Sequence, residues 1–174
     1  MRKLAGILLA FVLAAPSAAE PFSSDTYGFS ADFPAAPVIH PEQDAVRDAN
    51  GRVVSRTVLV QAGTPHVYSA VVVVETFEGP LPEPPDRILT ESRDACLKGW
   101  SMTITDSAPE TLDGHKALLF HYVHTSGHGG GAGIVAVTEG KKPRVYILFT
   151  MATPKADDAT LAALERMVGS FHIR

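Results

Sequence analysis

The sequence predicts an α+β fold, a largely antiparallel sheet of seven or eight strands covered by two main helices as an α/β/α sandwich. Three observations carry this. Apolar and polar residues alternate with strand period in many short segments. Turn signals such as Asn50-Gly51 and Asp113-Gly114 join those segments through short links, and short links connect antiparallel neighbours. Only two segments show helical spacing, at 85–98 and 157–171. Several strands are apolar on both sides, so both sheet faces should be covered, by one helix on each side or by both on one side plus loops.

The elements follow in order. Residues 1–19 have the three-part layout of a secretory signal peptide: Arg2 and Lys3, an apolar run from Leu4 to Ala15, then Pro16 and Ser17-Ala18-Ala19. The run is shorter than the about 20 residues a spanning helix needs. Cleavage after Ala19 leaves residues 20–174 as one domain. Glu20 to Thr26 reads as a polar leader. Phe29, Ala31 and Phe33 alternate as a strand that Pro34 and Pro37 end. A weaker strand spans 38–46, interrupted by Pro41. Asn50-Gly51 predicts a two-residue hairpin turn into a strand over 52–61, and 62–65 turns the chain again. Val67 to Glu75 is β-branched on both faces.

A proline-rich connector, 79–85, leads into the first helix, with Pro85 in its first turn and Gly99 as its stop. Ile88, Leu89, Ser92, Ala95 and Cys96 share its inner face; Arg87 with Glu91 and Asp94 with Lys98 are spaced as ion pairs. Met102 and Ile104 begin the next strand. Leu112 to His115 is a hairpin turn, Lys116 to His124 a strong strand, and Ile134 to Val137 a short one. Arg144 to Met151 is apolar on both faces and should be central. Asp157 to Phe171 closes as a helix with Leu161, Leu164, Val168 and Phe171 inward.

Composition excludes some roles. Two of the 15 basic residues lie in the leader, so the processed chain carries a net charge of −6. It has no basic block, which argues against nucleic acid and against a polybasic membrane patch. Cys96 is the only cysteine, so a monomer has no disulfide, and no cysteine stands at the cleavage site to carry a lipid anchor. A monomer in the bacterial periplasm fits best, with secretion beyond the cell open.

In Tyr27-Gly28-Phe29-Ser30-Ala31-Asp32-Phe33-Pro34, the helix over 86–98, the Leu112-Asp113-Gly114 turn and the final Ser170-Phe171, the chain resembles the Mog1/PsbP-like group. The match spans nearly all the processed chain in order. Many relatives carry a Trp after the Phe-Pro, where this chain has Ala35 and Ala36. The group includes photosystem accessory proteins, a nuclear GTPase-binding protein and bacterial envelope proteins. The resemblance implies an accessory or binding role, not a reaction.

Candidate chemistry is sparse. His121, His124 and His128 are close in sequence, and imidazole is a common metal ligand. An offset of three puts His121 and His124 on opposite strand faces. His124 and His128 are therefore the candidate pair for a transition metal, with His66 or His115 to complete the site. Strand-end histidines with no ligand are the plain alternative. Gly127, Gly129, Gly130, Gly131 and Gly133 form a loop around His128. It lacks the Lys-Ser/Thr of a P-loop and leads into a strand, not a helix. His128-Gly129-Gly130-Gly131 resembles a lipase oxyanion loop, but no Gly-x-Ser-x-Gly elbow accompanies it. The expectation is a mobile hairpin loop, or one that closes over a ligand or partner. Cys96 reads as a core residue sooner than a reactive thiol, and the carboxylates as solvated surface. The expected function is an exported, non-enzymatic domain binding an envelope protein or component, with no cofactor. A small-molecule or metal-binding protein using His124 to Gly133 comes second, and a hydrolase third.

Overall fold

A computed structural model describes residues 20–98, 101–126 and 129–174. The expected leader, 1–19, and Gly99, Trp100, Gly127 and His128 lie outside the described residues. The elements are β1 (Glu20–Ser24), β2 (Phe29–Phe33), β3 (Val38–Arg47), β4 (Val53–Thr64), β5 (Tyr68–Phe77), α1 (Pro85–Leu97), β6 (Met102–Leu112), β7 (His115–His124), β8 (Gly130–Val137), β9 (Arg144–Ala152), α2 (Asp158–Gly169) and β10 (His172–Ile173).

The strands form two sheets instead of one. Seven run in the order β3-β4-β5-β9-β8-β7-β6, every adjacent pair antiparallel. β9 is central, as its two apolar faces require. β1, β2 and β10 make a separate three-stranded antiparallel sheet. The segment read as a polar leader is therefore β1. Its one aromatic, Phe22, packs 5.3 Å from Phe29 and 5.7 Å from Phe33 between ring centroids.

The Tyr27-Gly28-Phe29 motif joins the two sheets. Gly28 holds φ at +68°, and a Cβ there would meet the Arg144 guanidinium and lie 3.0 Å from the Tyr146 hydroxyl. That hydroxyl donates to the Tyr27 carbonyl at 3.0 Å, and the Arg174 N–H donates to the Gly28 carbonyl at 2.9 Å.

Alternation along β8 and β9 splits the core. Ile134, Ala136, Tyr146 and Leu148 face one way, where Leu164 and Met167 of α2, Phe171 and the small sheet cover them. Val135, Val137 and Val145 face the other way, under Ile88 and Leu89 of α1. α1 packs on β7 and β8. Beyond it, Leu59, Val73, Phe149 and Met151 of β4, β5 and β9 stay half-buried. Complete cover was expected on both faces; on this one the helix covers only part of the sheet.

Other boundaries moved for local reasons. The Asp113-Gly114 link is a two-residue turn with φ of +50° and +83°, as expected. The Asn50-Gly51 link is longer, because the Asp48 carboxylate accepts from the Asn50 and Arg52 N–H groups at 2.8 and 2.9 Å. β4 runs through Gly63 to Thr64, so the turn starts at Pro65. In α1, Arg87 pairs with Glu91 at 2.6 Å as predicted, whereas Asp94 pairs with Arg93 at 2.7 Å. α2 is capped by Asp157, which accepts from the Thr160 N–H at 2.8 Å, and ends at Gly169. Leu161 is 41% exposed, and Ala163, Leu164 and Met167 form the inner stripe. Phe171 lies past the helix and is buried there.

Candidate functional site

The part of the sheet that α1 leaves open carries a cavity of about 270 Å³. Leu59 and Gln61 of β4, and Ser69, Val71 and Val73 of β5, form one side. Phe149 and Met151 of β9 form the floor, and Cys96 and Leu97 of α1 the roof. Met102 and Tyr122 close the far end. Register explains the convergence: Leu59 pairs with Val73, Gln61 with Val71, and Val71 with Phe149, so these side chains share one face.

The far wall depends on the glycines. Across the β7–β8 ladder Phe120 opposes Gly133 and Tyr122 opposes Gly131. The two rings stack with centroids 6.0 Å apart and lie over β8 where side chains are missing. A Cβ on Gly133 would fall 2.8 Å from Phe120 Cε1, and one on Gly131 would fall 3.1 Å from the Tyr122 hydroxyl. Tyr122 crosses β8 completely; its O–H donates to the Thr150 carbonyl of β9 at 2.5 Å. Burial, and then the neighbouring Cys96, push its phenol pKa up. Burial likewise pushes the Cys96 thiol up to about 11, so it stays protonated at neutral pH and is a poor nucleophile.

No protein-family model matches the chain, and no curated protein sequence does. Among solved structures it is similar to the cyanobacterial PsbP protein (CyanoP) of Synechocystis sp. PCC 6803. Identity is 16%, coverage is 97% of this chain and 100% of that one, and the TM-score is 0.53. The chain has the PsbP-like fold. LpqN of Mycobacterium tuberculosis, described as involved in cell envelope biogenesis, matches with 15% identity over 79% of this chain and 83% of that one, at a TM-score of 0.49.

On this PsbP-like fold the sequence-predicted site residues do not gather among the described residues. Gly130, Gly131 and Gly133 are not a loop; they are paired residues of β8. Gly129 precedes the strand at φ +81°. The short strand expected at 134–137 starts four residues earlier, because the rings of β7 supply the packing the glycines lack. His121 lies on the α2 side and His124 on the α1 side, matching the odd offset; their neighbours Leu119 and Phe120 pack in the two opposite cores. The His124 Nδ1 accepts from the Ser126 N–H at 3.1 Å and contacts the Ser126 hydroxyl at 2.6 Å. His121 Nδ1 is 3.8 Å from an Asp106 carboxylate oxygen. His66 sits in the β4–β5 turn, and its carbonyl accepts from the Thr153 hydroxyl at 2.9 Å. The partner proposed for His124, His128, lies outside the described residues. Among the described residues, no three His, Cys, Asp or Glu side chains converge as a metal group would require.

Sequence reasoning missed the cavity. Its floor was visible as Phe149 and Met151 on one face of a central strand. The missing signal was coverage. A helix is about 10 Å wide, and seven strands at about 4.8 Å spacing span about 29 Å. One helix on this side therefore had to leave several strands open.

Proposed function

We propose that the protein is an exported, non-enzymatic accessory domain of the bacterial envelope, processed after Ala19 and active as a periplasmic monomer. Its fold reads as a three-layer sandwich: α1, the seven-stranded sheet, and a mixed layer of α2 with the small sheet. Its binding surface is the open apolar face beside α1, where an envelope component is the partner. The observation that carries this is the cavity under Cys96 and Leu97, floored by the half-buried Phe149 and Met151. Concave, mostly apolar sites with few polar groups are where proteins take ligands. The signal-peptide layout of residues 1–19 supports export. The overall likeness to the cyanobacterial PsbP protein supports the fold on which this surface is built.

The test has two parts. N-terminal sequencing of the protein from the periplasmic fraction should return Glu20; Met1 would overturn export. Purified processed protein should co-sediment with isolated envelope fragments. The Phe149→Ser, Met151→Ser variant, folded by circular dichroism, should remain in the supernatant. Equal sedimentation of both proteins would overturn the assignment of this face.

A further inference from the structure

The accessory reading leaves the ligand unnamed, and the cavity's own chemistry narrows it. We propose that the cavity is a site for a small, uncharged amphipathic molecule: one unbranched hydrocarbon tail with a hydroxyl- or carbonyl-bearing head. The head meets Gln61 and Ser69, and the tail runs toward Leu97, Met102 and Tyr122.

Shape points to the tail. The walls come from β4, β5, β9, β7 and β6, with the glycine-bearing β8 beneath the Tyr122 ring. From β4 to the Tyr122 ring over β8 is at most three strand steps, about 14 Å of sheet. A volume of about 270 Å³ spread over that width is a narrow trough. An unbranched chain fills such a trough; a bulky ring system does not. The volume also exceeds the about 150 Å³ of an apolar cavity that accepts benzene. A wall this small presents far less than the about 800 Å² a side that a stable protein interface buries. That favours a small molecule over a folded partner.

Charge points to the head. Among the described residues, Gln61 and Ser69 are the only amide and hydroxyl side chains lining the cavity apart from the Tyr122 phenol, and that hydroxyl already donates to Thr150. Both lie at the β4–β5 end, and neither has a side-chain hydrogen bond among the described residues. Among the described residues, no Asp, Glu, Lys, Arg or His lines the site. A carboxylate or ammonium head would therefore be desolvated without a counter-charge, which is costly. An alcohol, ester or amide would not be. Cys96 and Tyr122 do not change this, since burial keeps both in their neutral forms.

The proposal rests on the accessory reading for its physiological setting but not for its test. Calorimetry at pH 8 would compare 1-decanol with sodium decanoate, both below their aggregation limits, on the processed protein. Decanol should bind at least tenfold more tightly than decanoate. Hexanol should bind more weakly than decanol, by up to about fourfold for each methylene lost. Val73→Phe, which places a ring in the trough, should lower decanol affinity at least tenfold. If that variant does not fold, the wild type still decides: bound decanol should slow alkylation of Cys96 in the roof, and decanoate at the same concentration should not. Equal binding of decanol and decanoate would overturn the uncharged head. No decanol binding, or binding that leaves Cys96 alkylation unchanged, would overturn the site. If decanol fails while co-sedimentation with envelope fragments persists and depends on Phe149 and Met151, the ligand class is wrong and the accessory reading stands.

Discussion

Replacing Gly133 with Ala separates two physical pictures by the sign of one number. If the glycine segment were a mobile loop, Gly→Ala would stabilise the fold by about 0.4–1 kcal/mol through loss of unfolded-state entropy. In β8 the result reverses. The new Cβ would lie 2.8 Å from Phe120 Cε1 and 2.9 Å from the Leu148 carbonyl oxygen. Neither can yield easily. Phe120 is fully buried and stacked on Tyr122, and Leu148 is held in the central strand. Inserting a methyl group into such a site costs about 1–3 kcal/mol. For a chain of this size that lowers Tm by about 2–12 °C, at about 2–4 °C per kcal/mol. Urea unfolding followed by circular dichroism reads the change as a shift in midpoint at constant slope. A control is at hand in Gly169→Ala at the end of α2, where a Cβ meets nothing within 4 Å; it should be neutral or stabilise by up to about 1 kcal/mol. A second variant, Phe120→Leu, removes the ring. The double mutant should lose less than the sum of the two single losses, since the clash is with the ring itself. A Gly133→Ala protein as stable as wild type, or more stable, would refute the packing argument.

Leu164→Ala should cost about 2–5 kcal/mol, because it empties a buried site between α2 and the sheet; Phe149→Ala, on the half-open face, should cost less, and equal losses in urea unfolding would mean the open face is covered. Cys96, with its pKa raised to about 11 by burial, should react slowly with a maleimide at pH 7 and quickly after denaturation; rapid stoichiometric labelling of the folded protein would contradict its place in the roof. Asp113 predicts a pH dependence: desolvation pushes its carboxyl up, but the Ile173 N–H at 2.8 Å and His172 outweigh this and hold it below the ordinary 3.8. A lowered folded-state pKa contributes stability above the ordinary value and loses it as pH falls through the folded one, so Asp113→Asn should flatten the acid limb of the stability curve, and an unchanged limb would remove the β10 clasp from the account.

Much of the fold was legible because local rules and tertiary context agree. Asp113-Gly114 gave a tight turn because both positions take positive φ and the Asp113 carboxylate accepts from the distant Ile173 N–H, not from the turn's own backbone. Asn50-Gly51 misled because Asp48, two residues upstream, captures backbone N–H groups and builds a longer turn. Phe29, Ala31 and Phe33 were rightly read as a strand with a buried face. Period alone could not assign that strand to a second sheet. The assignment depends on Phe22 and Ile173, partners that lie before and far after it in the chain. In the last helix Leu164 and Val168 were rightly placed inward, whereas Leu161 is exposed and Met167 takes a core place that the spacing did not assign. Ser170 ends the helix and its hydroxyl accepts from the Asp32 N–H at 2.8 Å, so Phe171 reaches the core from beyond the last turn.

The glycine run shows why sites are harder to read than elements. Its composition says only that these residues bring no packing of their own. Whether they form a loop or a strand depends on whether a neighbour supplies the missing contacts. That neighbour is also in the sequence. Phe120 and Tyr122 have the i, i+2 spacing of one strand face, and Gly131 and Gly133 have the same spacing. When the strands pair, two rings meet two gaps. The pairing orders β8, and it also lays Tyr122 flat across the sheet to reach Thr150. A Cβ at position 131 would collide with the Thr150 carbonyl and crowd the Tyr122 hydroxyl that bonds to it, at 3.1 Å. Gly131 and Gly133, two of the residues singled out as a ligand loop, therefore act on the cavity from beneath, by absence. Their test is packing and stability first, and ligand affinity only through the position of the Tyr122 ring.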